Sequence, residues 1–397
     1  METKTTGRYF YTMRKKIAGL LIIAAVIAVV PVPKAEAAPA VSAPGTSAAA
    51  VILFDARGGT VLYERHADDR RLIASTTKIL TALVVLENNG LDDEVLIKPE
   101  HTRAEGSSIY LRPGETVTVR ELLYGLMLAS GNDAATALAY HTAGSIENFS
   151  EMMNERAREL GCKNSSFTNP HGLDGQDHYS TARDLAIIMA EAMRNEEFRN
   201  IASTKNITFG NRSFRNHNRL LREYDGLNGG KTGFTRAAGR TLVTSAERDG
   251  MLLICVTLSA PDDWDDHTAL YDWAFSNFQG FSISRSDTKY VTLPVISGIR
   301  DTVAARPGQD FFVIVPKADE ITTEINAPRF VYADVIRGAR AGSVIVRNNG
   351  EKVTEIPLVY SENIALDESQ RLRPMEKIRR GWDIANRHGR RGFDGNY

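Results

Sequence analysis

The sequence predicts an α+β protein: an antiparallel sheet packed with helices and carrying a helical insert, followed by a small all-β sandwich. Two observations predict it. β-prone runs stand near Val51 and again from Gly230 to Ser259, with apolar residues at helical spacing between them, so distant parts of the chain must share one sheet. Beyond Ser282 the texture changes to short β runs broken by turn residues. A chain of 397 residues, 43% hydrophobic and 24% charged, is long enough for two domains with a core each.

Taken in order, the amino terminus reads as an export signal. Met13-Arg-Lys-Lys16 precedes the unbroken apolar run Ile17 to Val30, and Ala35-Glu-Ala37 offers small residues where a signal peptidase reads. About 14 apolar residues fall short of the roughly 20 that span a bilayer, so the expectation is a signal peptide over 1–37, with 1–12 as a start-site extension. Residues 38–50, rich in Ala, Pro, Ser and Gly, read as a linker. Val51 to Phe54 and Val61 to Glu64 are short strands joined by a hairpin-type connection. Leu72 to Ala82 then opens a helix. Further helical patterns cover Val119 to Leu128, Ser145 to Leu160 and Thr181 to Met193, the last announced by the capping box Thr181-Ala-Arg-Asp184. Gly230 to Phe234, Arg240 to Ala246 and Met251 to Ser259 read as an antiparallel meander, closed by a helix over Asp266 to Phe278. The predicted domains are therefore 51–281 for the chemistry and 282–365 for the β sandwich.

The tail, 366–397, carries Leu372, Met375, Ile378 and Trp382 at helical spacing among arginines and lysines. Such a segment can lie on an anionic membrane surface or be a solvated end. A net charge of -1 leaves no nucleic-acid footprint. Cys162 and Cys255 do not make a disulfide framework; they could pair in an oxidising compartment but read more plainly as buried thiols. No metal-ligand spacing is present, and no cofactor is implied.

Three motifs carry chemistry. In Ser75-Thr-Thr-Lys78 a hydroxyl and an amine three residues apart share a helix face, giving a nucleophile its own base. A lysine of ordinary pKa, about 10.4, is protonated at neutral pH, so Lys78 must be desolvated or crowded by a second cation. The spacing alone is cheap, since Ser286-Asp-Thr-Lys289 repeats it. Ser130-Gly-Asn132 stands where one apolar helix meets the next, a pattern that Ser361-Glu-Asn363 also shows. Gly230-Lys231-Thr232-Gly233-Phe234 places a cation and a hydroxyl on a glycine-flanked strand, where an extended peptide could lie as an added strand.

The order decides it. S-x-x-K, then S-x-N about 55 residues on, then K-T-G about 100 further, is the set of the penicillin-binding proteins and class A β-lactamases. On these residues the chain resembles the penicillin-recognising serine acyltransferases, most closely the low-molecular-weight D-alanyl-D-alanine carboxypeptidases. Asp55 to Thr60, Gly106 to Gly114, Asn169 to Leu173 and His178 to Ala182 also look like that family, as does the appended β domain. The resemblance implies a β-lactamase/transpeptidase-like fold and an exported enzyme at the extracytoplasmic face of the membrane or in the wall. Its partners would be peptidoglycan stem peptides ending in D-Ala-D-Ala, with β-lactams as covalent inhibitors.

It also implies roles. Ser75 would be acylated, Lys78 would take its proton, and Ser130 and Lys231 would relay a proton to the departing D-alanine. Lys231 would double as the second cation. Asn132, Thr232 and Gly233 would bind substrate, with the backbone N–H groups of Ser75 and Phe234 as the oxyanion hole. An arginine that holds the substrate carboxylate in several relatives is missing, the region reading Ser259-Ala-Pro-Asp-Asp-Trp264; Arg240 is the substitute the sequence offers. Two rival readings exist. A β-lactamase would need a deacylating base, for which Glu191-Ala-Met-Arg-Asn195 has a superficially similar spacing inside a helical pattern. A wall-binding protein with a vestigial site would lack part of the motif set, and nothing is missing. His171 and His178, both in loops, read as structural.

Overall fold

The structure is a computed structural model that describes residues 42–287, 290–373, 375–379 and 382. The expected signal peptide, the start of the linker, Lys289 and the end of the tail lie outside them.

The first strands, β1 (Ala50–Asp55) and β2 (Val61–Arg65), form the expected hairpin, with Ile52 opposite Glu64. A 3-10 turn, Ala74–Thr77, runs into α1 (Lys78–Asn88). Next come a short hairpin, β3 (Glu94–Leu96) with β4 (Thr116–Thr118), then α2 (Val119–Leu128), α3 (Asn132–Ala143) and α4 (Ile146–Glu159). The insert ends with α5 (Ala182–Ala192), α6 (Glu196–Ser203), the hairpin β5 (Asn206–Phe209) and β6 (Arg212–Arg215), and α7 (Leu220–Glu223). The meander is β7 (Leu227–Thr235), β8 (Gly239–Arg248) and β9 (Met251–Leu258), followed by α8 (Asp263–Asn277). The two small hairpins were not legible in the sequence, because runs of three or four mixed residues carry no period. The last helix starts three residues earlier than its apolar pattern, with Asp263, Asp265 and Asp266 in its first turn, where the helix dipole favours anions.

The sheet order is β2-β1-β9-β8-β7, so the first strand joins the last of the meander: Ala50 opposes Leu258 and Ile52 opposes Val256. The sheet is buried on both faces. Ile52, Val243, Ile254 and Val256 pack with the helices of the insert, whereas Val51, Leu53, Leu242 and Cys255 pack with Leu270, Tyr271 and Ala274 of α8. This is why Met251 to Val256 reads as an unbroken apolar run rather than an alternating one. Each such side chain contributes about 1.5–3 kcal/mol on burial. The insert's helices have marked starts: Thr118, Ser145 and Thr181 each accept a hydrogen bond from the backbone N–H three residues on, worth about 1 kcal/mol apiece.

The remaining strands are β10 (Phe278–Ile283), β11 (Val291–Ile296), β12 (Thr302–Pro307), β13 (Phe311–Pro316), β14 (Ile321–Asn326), β15 (Val331–Tyr332), β16 (Arg340–Asn348) and β17 (Glu351–Tyr360). Six form a sheet in the order β14-β16-β17-β12-β11-β15, and β10 pairs with β13. The core of this part gathers Leu293, Val303, Val344, Val346, Ile356, Leu358 and Ile364. The expected junction between 281 and 282 falls inside β10. Among the described residues no helix is long and apolar enough to cross a membrane.

Candidate active site

Ser75 sits in the 3-10 turn just ahead of α1 rather than within the α-helix. The three-residue spacing still works: Lys78 Nζ lies 2.9 Å from Ser75 Oγ. The turn is bent sharply at Ala74, whose φ of 46° is left-handed, a conformation that costs a non-glycine residue about 1–2 kcal/mol. Side chains hold it there. Thr76 Oγ1 donates to Ile73 O at 2.6 Å, Thr77 Oγ1 donates to Ala74 O at 2.9 Å, and His178 Nε2 meets Thr77 Oγ1 at 2.9 Å. His178 Nδ1 accepts from Thr168 N at 3.1 Å, so its Nε2 carries the proton and donates to Thr77.

Lys78 is 0% exposed, and its amine is ringed by acceptors: Asn132 Oδ1 at 2.7 Å and His171 O at 2.6 Å besides Ser75. Burial, then the nearby Lys231 charge, push its pKa well below that of a free amine, with Asp133 opposing in part. Desolvation thus outweighs the second cation sought from the sequence, although both act in the same direction. Lys231 is 1% exposed and donates to Thr232 O at 2.9 Å. Burial lowers its pKa to about 7.

Ser130 occupies the reversal between α2 and α3, buried, with a φ of 60°. Asn132, the first residue of α3, ties three segments together. Its Oδ1 accepts from Lys78, its Nδ2 donates to Glu105 O and its backbone N–H donates to Ser107 O at 2.7 Å. The next residue was missed by sequence reasoning. The buried Asp133 carboxylate accepts from Ser108 Oγ at 2.6 Å and from the backbone of Ile109 at 3.0 Å, Leu111 at 3.1 Å and Ala134 at 2.9 Å. It thereby fixes the Gly106 to Gly114 loop beside the site. An acid directly after the motif asparagine was the only available signal.

The strand carrying Lys231 is the last of its sheet, so its outer edge has no neighbouring strand in that sheet. Gly233 opposes Thr241, whose hydroxyl donates to Ile73 O at 3.1 Å and so joins the sheet to the Ser75 turn. A Cβ at Gly233 would run into Thr241 Oγ1 and come within 3.0 Å of Ser75 N. Only glycine permits that approach. Thr232 is half-buried, and Phe234 is 66% exposed beside it.

Arg240 stands opposite Phe234 in the strand register, with its guanidinium turned to α8. Side chains alternate along β8, so Thr241 faces the Ser75 turn while Arg240 shares the opposite face with Thr244, which bonds His267 and Tyr271 of α8. There the guanidinium holds Asp263 Oδ1 at 2.6 Å and covers the Trp264 ring at 5.4 Å.

A third wall comes from Asn169 to Leu173. Asn169 Oδ1 accepts from Gly172 N at 2.7 Å, Thr81 Oγ1 donates to Pro170 O at 2.7 Å, and the His171 carbonyl faces Lys78. Gly172 has a φ of 86°, and a Cβ there would overlap Ala74 O. His171 and His178 lie in loops as expected, with their pKa lowered by burial to about 3 and about 4. Glu191 is in α5, its carboxylate paired with Arg156 at 2.9 Å and Arg194 at 3.2 Å. Cys162 and Cys255 are buried free thiols.

Comparison with known proteins shows what the chain is similar to. The D-alanyl-D-alanine carboxypeptidase sequence profile matches residues 37–262, and that of the penicillin-binding protein 5 C-terminal domain matches 278–365. The D-alanyl-D-alanine carboxypeptidase DacF of Bacillus subtilis (strain 168) is 31% identical over 333 residues, 80% of this chain and 86% of that one. DacC of Escherichia coli (strain K12), another D-alanyl-D-alanine carboxypeptidase, is 34% identical over 345 residues, 82% and 86% of the two chains. Among solved structures, penicillin-binding protein 5 from Haemophilus influenzae superposes with a TM-score of 0.68 at 31% identity, covering 82% of this chain and 100% of the other.

Proposed function

The chain belongs to the D-alanyl-D-alanine carboxypeptidase family, and from that premise we propose how its own residues carry out the reaction. The protein is a serine-type D-alanyl-D-alanine carboxypeptidase, a hydrolase. One observation carries the assignment of residues: a fully buried lysine amine 2.9 Å from a serine hydroxyl.

With Lys78 neutral, the contact runs from the Ser75 O–H to the Nζ lone pair. Ser75 Oγ attacks the carbonyl of the penultimate D-alanine as its proton passes to Lys78. The backbone N–H groups of Ser75 and Phe234 receive the oxyanion, and each such donor is typically worth about 3–4 kcal/mol in the transition state. Collapse expels D-alanine, whose nitrogen takes a proton from the Ser130 hydroxyl, replenished by Lys231. Lys78 returns its proton through Ser130 to Lys231. Water then attacks the ester as Lys78 takes a proton from it, and collapse hands that proton to Ser75 Oγ as the shortened peptide leaves. Asn132 holds a substrate amide, Thr232 the terminal carboxylate, and Gly233 lets the peptide approach the strand. The substrate is the peptidoglycan stem peptide ending in D-Ala-D-Ala, and β-lactams acylate the same serine without prompt release.

In this reading the protein is exported and works outside the cytoplasm, residues 51–281 hold the chemistry, and residues 282–365 space it from its support. The exposed Met375, Ile378 and Trp382 lean on a membrane surface. Mass spectrometry of a pentapeptide digest, with fluorescent penicillin labelling, tests the assignment. Loss of one alanine, and a label on wild type absent from Ser75→Ala, are expected. A label that survives Ser75→Ala refutes it.

A further inference from the structure

A substrate that ends in a carboxylate presents more acceptor positions than Thr232 alone can fill. The Arg240 guanidinium is engaged by Asp263 of α8. Another side chain stands at the right place. His217 N donates to Leu128 O at 3.2 Å, two residues before Ser130. On its other side, the Asn218 amide lies 3.5 Å from Gly229 O and 3.1 Å from where a Cβ on Gly230 would stand, next to Lys231. Residue 217 is therefore strung between the Ser130 turn and the Lys231 strand.

Its neighbours fix its direction. Asn216 and Asn218 are buried, while His217 between them is exposed. Asn216 Nδ2 donates to Thr204 O at 3.0 Å, and its Oδ1 accepts from Asn218 N at 2.9 Å, so the backbone here is rigid. Among the described residues no hydrogen bond or ion pair engages the His217 ring. We propose that His217 is a substrate-binding residue whose ring N–H donates to the terminal carboxylate of the peptide, alongside Thr232. The assignment rests on the carboxypeptidase reading above. Partial desolvation and the Lys231 charge both lower the His217 pKa. A neutral imidazole still offers one donor.

The test compares a D-Ala-D-Ala peptide with the same peptide capped as its C-terminal amide, in full-length wild type, His217→Ala and His217→Arg. Loss of a hydrogen bond to a charged group predicts a KM for the free acid raised about tenfold or more in His217→Ala, with kcat within about twofold. The acid-over-amide preference falls by the same factor, and His217→Arg restores it. An equal loss on both peptides, or no loss on either, overturns the assignment. So does failure of arginine to rescue. If wild type labels at Ser75 with penicillin while the preference is unmoved, only His217 is wrong; if Ser75 never labels, the reading beneath it fails.

Discussion

Replacing Lys231 by methionine, similar in length but without the amine, should stabilise the fold while abolishing the reaction. The amine is 1% exposed and held at a pKa of about 7 by burial. Against an unfolded value near 10.4, at 1.36 kcal/mol per pKa unit, the charged form is about 5 kcal/mol less favourable inside than in water. The lost hydrogen bond to Thr232 O returns about 1–2 kcal/mol, leaving a net gain of about 3 kcal/mol near pH 6.5. The sign follows from linkage. The folded pKa lies below the unfolded one, so between about pH 7 and 10.4 the unfolded chain binds more protons and wild-type stability rises with pH. The variant's advantage is therefore full below pH 7 and shrinks by about 3 kcal/mol by pH 9.5. Urea unfolding at the two pH values measures it, read by tryptophan fluorescence, since Trp264 and Trp273 both sit in α8. An advantage that does not change between them, or a variant less stable at both, would refute the electrostatic account of this lysine.

The same charge helps hold Lys78 below the usual amine pKa, so the acid limb of penicillin acylation, set by deprotonation of Lys78, should move to higher pH in whatever activity Lys231→Met retains; an unmoved limb would mean the two amines do not interact. Gly233→Ala should cut acylation about 100-fold, because its Cβ meets Thr241 Oγ1 and Ser75 N and must push the strand outward; stopped-flow acylation rates within a few-fold of wild type would contradict this. Asp133→Asn should lower stability by about 2–3 kcal/mol, since a carboxylate accepting from Ser108 and three backbone N–H groups becomes a neutral amide with one acceptor oxygen. Thermal melts check it, and a change below about 0.5 kcal/mol would show that the loop is held otherwise.

Much of the site was legible because its chemistry depends on residue types at short, local spacings. Ser75 and Lys78 are neighbours on one turn, Ser130 and Asn132 flank one reversal, and Lys231 to Phe234 lie on one strand. What could not be read was everything supplied by backbone atoms or by partners far along the chain. The His171 carbonyl that faces Lys78 looks like any other carbonyl in a sequence, and Asp133 reads as an ordinary acid in a first helical turn. Arg240 shows the limit from the other side: its distance from K-T-G is right, but strand alternation and Asp263 decide where its guanidinium goes.

The sequence by itself determined which groups are present and on what kind of element each one rides, because helical and strand periods and local motifs are properties of adjacent residues. Only the tertiary structure decided how acidic the two amines become. Desolvation depends on what surrounds a side chain in every direction, and Lys78 and Lys231, 153 positions apart, are both buried by the folded chain.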